Sequence, residues 1–433
     1  MLLILALAGL VVIFALGSLR PVNMGAIALV VAFILSIAIS GESTKELLGG
    51  FPVTLLIILV GVTYLFGLAS TNGTVEWLVT AAVRAVRGRA GVIPWVLFAA
   101  AAALAAIGAA SPAAVAIVAP IGIAFAVRYR TSPLMNGLMA VNGAAAGSFS
   151  PVGILGGIVV TTAKHNGLTI DPTFLFLATF GFNVLVAVAT VLIFRRRGIP
   201  TADSEPDVPG SAGTSVEPTG KGGLQVSTVP ATEVRTITGE QLVTMAGLVT
   251  MVLAVSVFGA DAGLTALTIA VVLALLFPGS AKAASTRIAW SVVLLVCGIV
   301  TYIAVLERLG VVGTLGDSIV AIGAPLLAAF LICLIGGVVS AFASTTGILG
   351  ALVPLSIPFL QSGQISATAL LAALSVSASV VDASPFSTNG ALLVANVPEE
   401  QRNSTYKALF MWGFALMLVA PLSSWALLVL LPW

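Results

Sequence analysis

Apolar runs of roughly 20 residues recur along almost the whole chain and are separated by short polar stretches. A helix needs about that length to cross a hydrocarbon core of about 30 Å at 1.5 Å per residue. Because backbone groups in lipid must pair within their own segment, these runs are predicted to be helices. The predicted membrane spans are residues 2–19, 22–40, 52–69, 133–163, 172–194, 240–258, 263–277, 288–306, 366–397 and 406–431.

Two further apolar regions, residues 92–127 and 322–360, are too long for one span and are interrupted by small and hydroxyl residues. They are predicted to be helical hairpins that enter and leave on one side. The expected fold is an all-α polytopic membrane protein with about ten transmembrane helices and two re-entrant hairpins. Residues 198–239 are rich in Gly, Pro, Ser and Thr, which predicts a disordered cytoplasmic linker between membrane repeats at residues 1–197 and 240–433.

The composition excludes several classes of protein. Hydrophobic residues make up 59% of the chain and charged residues 8%, whereas a soluble domain carries about a quarter charged residues. No basic cluster with interleaved aromatic residues indicates nucleic acid. The single histidine, His165, falls in a predicted loop, and no spaced set of nucleophiles or metal ligands indicates an enzyme. No cofactor is expected, and the lipid bilayer is the expected environment.

The distribution of positive charge predicts the topology. With the N-terminus outside and each hairpin returning to its own side, 15 of the 18 Lys and Arg residues fall inside, as the positive-inside rule requires. Both termini are then outside a bacterial-type inner membrane, and the two halves have opposite orientations.

Two pairs of segments repeat at a constant offset. AASPAAVAIVAP at residues 109–120 corresponds to ASTTGILGALVP at residues 343–354. SFSPVGILGG at residues 148–157 corresponds to DASPFSTNGA at residues 382–391, again 234 positions later. Two matches in one register, together with the inverted charge pattern, predict an inverted repeat of the kind found in secondary transporters.

The repeated segments contain residues that interrupt membrane helices. A half-helix that starts inside the membrane presents free N–H groups and about half a positive charge, so it can hold an anion without Arg. Pro breaks the helix, and hydroxyl groups donate to carboxylates. The predicted hairpin tips and helix breaks supply the candidate substrate-binding residues Ser111, Ser150, Pro151, Ser344, Thr345, Thr346, Ser384, Pro385, Ser387, Thr388 and Asn389.

Asp382 is an acidic residue at membrane depth, where such residues are costly and usually functional. It is the candidate for cation or proton coupling. Together with the unwound backbone around it and its repeat counterpart, the candidate cation-coupling set is Phe149, Gly153, Asp382 and Ala383, with Na⁺ as a possible ion. The alternatives are a structural carboxyl at Asp382, ordinary Pro kinks, and small residues that serve only close helix packing.

At these positions the chain resembles the divalent anion/sodium symporters of the ion transporter superfamily, and within them the MatC-type dicarboxylate (malonate) carriers. The resemblance is most specific at GSFSPVGILGG (residues 147–157) and DASPFSTNGALLVAN (residues 382–396). In those symporters the tips carry Ser-Asn-Thr and the breaks carry Gly- or Ala-Thr-Pro. The breaks of this chain match closely except for Phe149, whereas its tips, at residues 110–112 and 344–346, lack the Asn. The resemblance implies that tips and breaks hold substrate and sodium together, and that the protein can be a homodimer.

The expected function is cation-coupled symport of a small dicarboxylate, malonate or a C4-dicarboxylate. Importing a dianion against 100 mV costs roughly 4.6 kcal/mol, so at least two co-transported cations are expected. Na⁺ and H⁺ both remain open as the coupling ion. The rival interpretations are an ion antiporter or anion exporter of the same superfamily, and a channel.

Overall fold

The chain is helical wherever the computed structural model describes it, which is at residues 2–20, 22–85, 91–128, 131–194, 237–311, 314, 324–342 and 344–431, apart from the short turns that connect the helices. No β-strand occurs within these ranges. The predicted linker lies outside the described residues except at positions 237–239. There Thr238 caps the first helix of the second half through a reciprocal pair of hydrogen bonds with Gln241.

The first half contains ten helices in its described ranges. They are α1 (Leu2–Leu19), α2 (Met24–Phe33) with a π-helical extension (Ile34–Ile39), α3 (Thr44–Gly49), α4 (Val53–Thr71), α5 (Thr74–Ala85), α6 (Ile93–Ala106), α7 (Ser111–Arg128), α8 (Pro133–Gly147), α9 (Ile154–His165) and α10 (Pro172–Phe194). Helices α6 and α7 form the predicted first hairpin, and α8 and α9 are the two parts of the predicted span at residues 133–163.

After three spans, the second half continues as the first half does, with a hairpin, an interrupted span and a final span. Its helices are α11 (Gly239–Ser256), α12 (Ala262–Leu276), α13 (Pro278–Ser285), α14 (Trp290–Arg308), α15 (Pro325–Ser340), α16 (Thr345–Gln361), α17 (Ala367–Val380), a 3₁₀ turn (Val381–Ala383), α18 (Thr388–Asn396) and α19 (Glu399–Leu428). Helices α15 and α16 form the second hairpin, and α17 and α18 are the two parts of the predicted span at residues 366–397.

Some of the helical segments have the length that a membrane span requires. Five segments are long and apolar enough to cross a bilayer: α4, α10, α14, α19 and the interrupted α17–α18 segment. Shorter apolar helices, among them α2 with its π-helical extension, α11 and α12, complete the set. The predicted all-α polytopic fold, with about ten transmembrane helices and two hairpins, is confirmed.

Contacts between helices of the two halves show the directions in which these helices run relative to each other. The N-termini of α2 and α14 meet, because Asn23 Nδ2 donates to the Ser291 carbonyl at 2.8 Å. The opposite ends of the same two helices are joined by an ion pair between Arg308 and Glu42 at 3.1 Å. These helices therefore run parallel.

Helix α4 runs the other way beside α14. The Ala289 amide at the start of α14 donates to Thr63 in the second half of α4 at 3.4 Å. The end of α14 lies beside Gly50, just before α4 begins. Because α4 and α14 are the third spans of their halves, their antiparallel arrangement is what an inverted repeat requires.

Two helices form the centre of the hairpin-bearing part, which comprises α6–α10 and α15–α19. Every residue of α8 is buried, and so is every residue of α17 from Ala369 onwards. Their many Ala, Gly and Ser residues allow neighbouring helices to approach closely. Each is followed within a few residues by a Ser-Pro segment, and the serines of these segments, Ser150 and Ser384, are buried. We call the helices α1, α2, α4 and α11–α14 the scaffold.

Candidate substrate site

The first hairpin tip, residues 107–110, is a tight turn between α6 and α7. Gly108 adopts φ +106°, a conformation that favours glycine. A Cβ at this position would also overlap the side chain of Val62 in α4. The tip therefore packs directly against the scaffold, and it presents the start of α7 at Ser111.

The two helix breaks are real interruptions of the chain direction. Between α8 and α9, residues 148–153 form turns, and the Ser148 carbonyl accepts hydrogen bonds from the amides of Leu155 and Gly156 at 3.0 Å. Between α17 and α18, Ser387 caps the new helix by accepting a hydrogen bond from the Gly390 amide at 3.1 Å. The sequence therefore predicted both interruptions at the correct positions.

Both tips and both breaks line one cavity of about 420 Å³. Four half-helices, α7, α9, α16 and α18, begin at its wall. The lining residues from these segments are Ala110, Ser111, Pro112, Ala113, Ser148, Ile154, Leu155, Ser344, Thr345, Thr346, Asp382 and Thr388. Segments that are more than 200 residues apart in the chain thus meet at one place.

The scaffold closes the same cavity with two further helix N-termini. Asn23 and Met24 from the start of α2, and Ala289, Ser291, Val292 and Leu295 from the start of α14, complete the lining. Sequence reasoning missed these residues, because nothing in the spans of α2 and α14 marks them as neighbours of the repeated segments. It also missed Ser148, whose hydroxyl donates to the Ala144 carbonyl at 2.7 Å.

The cavity is lined by helix N-termini but contains no positively charged side chain among its described lining residues. Among the described residues around the cavity, Asp382 is the one ionisable side chain, and none is Lys or Arg. Positive potential at this wall therefore comes from backbone N–H groups and helix dipoles.

Asp382 belongs to a hydrogen-bonded group that joins the two repeats. Asn389 Nδ2 donates to Asp382 Oδ2 and to Ser111 Oγ, each at 2.8 Å. Asn389 is completely buried, and its Oδ1 has no hydrogen-bond partner. An unpaired buried carbonyl oxygen beside a carboxylate is a favourable place for a cation.

The second hairpin tip is tied to α17 by hydroxyl groups. Ser340 Oγ donates to the Ala378 carbonyl at 2.7 Å and lies 3.1 Å from Thr345 Oγ1. Ser344 precedes α16 without a side-chain cap on that helix. The first amides of α16 are therefore free of a side-chain partner at the cavity wall.

The remaining predicted site residues are not among those that line the cavity. The hydroxyl of Ser150 donates to the Ala106 carbonyl at 2.6 Å, and that of Ser384 donates to the Ala341 carbonyl at 2.5 Å. The others that do not line the cavity are Phe149, Pro151, Gly153, Ala383, Pro385, Ser387 and Asn389.

Comparison with known proteins supports a transport role for the protein. Residues 1–148 match the family model of the N-terminus of the dicarboxylate carrier protein MatC, and residues 261–433 match the citrate transporter family model. The chain is a multi-pass membrane transporter. The predicted resemblance to the MatC-type carriers is confirmed, and both matched families consist of transporters rather than enzymes.

The transporter also has a structural relative. The YdaH transporter of Alcanivorax borkumensis, a crystal structure with an unusual topology, superposes with a TM-score of 0.61 at 16% sequence identity, covering 93% of this chain and 96% of that one. At this identity the similarity concerns the fold. No curated protein matches the transporter in sequence at a significant level.

Proposed function

We propose that this transporter carries a small dicarboxylate by cation-coupled symport. The observation that carries the proposal is the cavity where four half-helices begin beside hydroxyl side chains, with no Lys or Arg among its described lining residues. Helix N-termini favour anions, and several such ends can hold two carboxylates without a fixed cationic side chain. The matched families, described as a dicarboxylate carrier and a citrate transporter, agree with a small carboxylate substrate.

The two hairpin tips are the proposed carboxylate-binding elements. Ser111 accepts a hydrogen bond from Asn389, so its own hydroxyl hydrogen remains available for an anion. On the other side of the cavity, Thr346 and the uncapped start of α16 provide a hydroxyl group and free amides. Thr388 contributes a third hydroxyl at the start of α18.

A cation is proposed to bind beside Asp382. The carboxylate, the unpaired Asn389 Oδ1 and the unwound backbone of residues 381–387 supply the oxygen ligands that hard cations prefer. Among the described residues no cluster of three or more His, Cys, Asp or Glu side chains forms a metal site, so a weakly held monovalent ion fits better than a tightly bound metal. Importing a dianion against 100 mV costs roughly 4.6 kcal/mol, which two co-transported cations offset.

The two ends of the scaffold indicate how access alternates. The substrate cavity lies at the N-termini of α2 and α14, whereas a second cavity of about 300 Å³ lies at the opposite end of α14, beside Gly50, His165 and Glu307. Between them, α16 packs on Leu295 and Ile299 of α14. Movement of the hairpin-bearing part along the scaffold would transfer the site from one end to the other.

Counterflow in proteoliposomes tests the proposal. Purified transporter would be reconstituted with internal malonate, succinate, malate or citrate, and uptake of the labelled compound measured with a sodium gradient, a proton gradient or neither. We expect saturable uptake of at least one dicarboxylate that a cation gradient drives uphill. Cation-for-cation exchange without carboxylate would indicate an antiporter, and non-saturating flux without accumulation would indicate a channel.

A further inference from the structure

Ser150 and Ser384 occupy matched positions in the two repeats and make matched hydrogen bonds. They are 234 positions apart, and the carbonyls that they reach, those of Ala106 and Ala341, are 235 positions apart. In each repeat, the serine of the helix break therefore reaches the end of the first helix of that repeat's own hairpin.

The Ala106 carbonyl needs this partner. The last carbonyls of a helix have no partner within the helix. The turn at the first tip pairs the Leu104 and Ala105 carbonyls with amides of Ala109 and Gly108, at 3.0 and 3.1 Å. The Ala106 carbonyl is left for the Ser150 hydroxyl, which reaches it from 44 positions further along the chain.

The second tip is built in the same way. The Gly337 and Val339 carbonyls accept from the amides of Ala341 and Phe342, both at 3.1 Å. The Ala341 carbonyl accepts from the Ser384 hydroxyl, which also accepts a hydrogen bond from the Ser387 amide at 3.2 Å. Ser384 thus joins the second tip to the start of α18.

We propose that Ser150 and Ser384 are positioning residues that fix each hairpin tip onto the helix break of its own repeat, rather than ligands of the substrate. Both side chains are almost fully buried, and both hydroxyl hydrogens are committed to backbone carbonyls. Each bond holds two half-helix N-termini at the cavity wall together: α7 with α9 in the first repeat, and α16 with α18 in the second. The effect of these hydrogen bonds on carboxylate affinity rests on the proposed function, whereas their effect on the position of the tips does not.

Hydrogen exchange of the full-length transporter in nanodiscs, without substrate, tests the proposal. Ser150→Ala is expected to speed amide exchange at residues 103–110 roughly tenfold and to leave residues 337–342 unchanged. Ser384→Ala is expected to do the reverse. The control is Ser356→Ala, since this buried hydroxyl donates to Leu352 within its own helix at 2.6 Å, and neither tip should change.

Two results would overturn the proposal: a substitution that leaves its own tip unchanged, or one that loosens both tips equally. If an alanine variant does not fold, the cysteine variant replaces it, because a thiol keeps the size of the side chain and is only a weak donor. A fall in dicarboxylate affinity with unaltered tip exchange would instead make the serines ligands. Because exchange is measured without substrate, a transporter that proves to carry another solute does not affect this result.

Discussion

Replacement of Asp382 by asparagine is the most informative perturbation of the proposed cation site. The change keeps the size of the side chain and an oxygen that can accept the hydrogen bond from Asn389, which is 2.8 Å from the carboxylate in the native protein. The helix break should therefore stay in place. What is lost is the negative charge next to the unpaired Asn389 Oδ1.

The expected magnitude follows from that charge. A monovalent cation about 4 Å from a carboxylate gains about 4 kcal/mol at an effective dielectric constant of about 20. The amide oxygen of the substituted side chain would recover part of this as a neutral ligand. The cation affinity of Asp382→Asn should therefore fall by roughly two to three powers of ten.

Two measurements check this expectation. Cation titration of thermal stability in detergent reports binding directly, since a ligand at about 100 times its Kd stabilises the folded state by about 2.7 kcal/mol. Uptake into proteoliposomes under sodium and proton gradients reports coupling. The matched control is Asp261→Asn, whose side chain only caps α12 by accepting from the Leu264 amide at 2.8 Å. Cation-dependent stabilisation that survives in Asp382→Asn would refute the assignment of this carboxylate.

Two further predictions concern the tip of the first hairpin and the far end of the scaffold. Gly108→Ala would place a Cβ at a residue with positive φ, where it would also overlap α4. This variant should therefore destabilise the fold by roughly 1 kcal/mol or more and lower transport. The control is Gly181→Ala in α10, where a Cβ meets no neighbouring atom, and it should change neither thermal stability nor uptake. The hydrogen bond from Arg308 holds the pKa of Glu42 below its usual value of 4.5, so the pair stabilises the fold above that pH and this contribution is lost as the pH falls through the lowered pKa. Because both side chains are partly exposed, the effect should be no more than about 1 kcal/mol. When the pH is lowered from neutral to about one unit below the usual glutamate pKa, the melting temperature of Glu42→Gln should fall less than that of the native protein. Equal falls in melting temperature would contradict this prediction.

The sequence predicted the interruptions because they violate the apolar pattern. Pro and hydroxyl residues inside long apolar runs are costly in lipid, so Ser150-Pro151 and Ser384-Pro385 stood out as helix breaks. The constant offset between the repeats then placed the tips. The positions of the interruptions along the chain could therefore be predicted from one sequence alone.

The direction in which each side chain points around its helix axis could not be predicted in this way. The hydroxyls of Ser150 and Ser384 were expected to face the substrate, but they point at carbonyls of their own hairpins. Ser148 and Ser291 do line the cavity. Ser148 begins a repeated segment, but the repeat does not show which way its side chain points, and Ser291 sits in a run with no distinguishing pattern. Their exposure to the cavity depends on how α2 and α14 pack against the hairpin-bearing part, and that is set by contacts between distant segments.

The lone carboxylate in a two-fold repeat has an electrical consequence. Ser148 stands where the other repeat has Asp382, so under the proposed movement one negative charge would travel with the hairpin-bearing part. A dianion with two monovalent cations leaves that charge in place, and membrane voltage then acts alike on the loaded and the returning carrier. A third cation would make the loaded carrier neutral, so that membrane voltage would act only on the return of the empty carrier. Moving its one charge fully across the membrane changes the free energy by about 2.3 kcal/mol per 100 mV. The voltage dependence of turnover would then count the ions carried in each cycle.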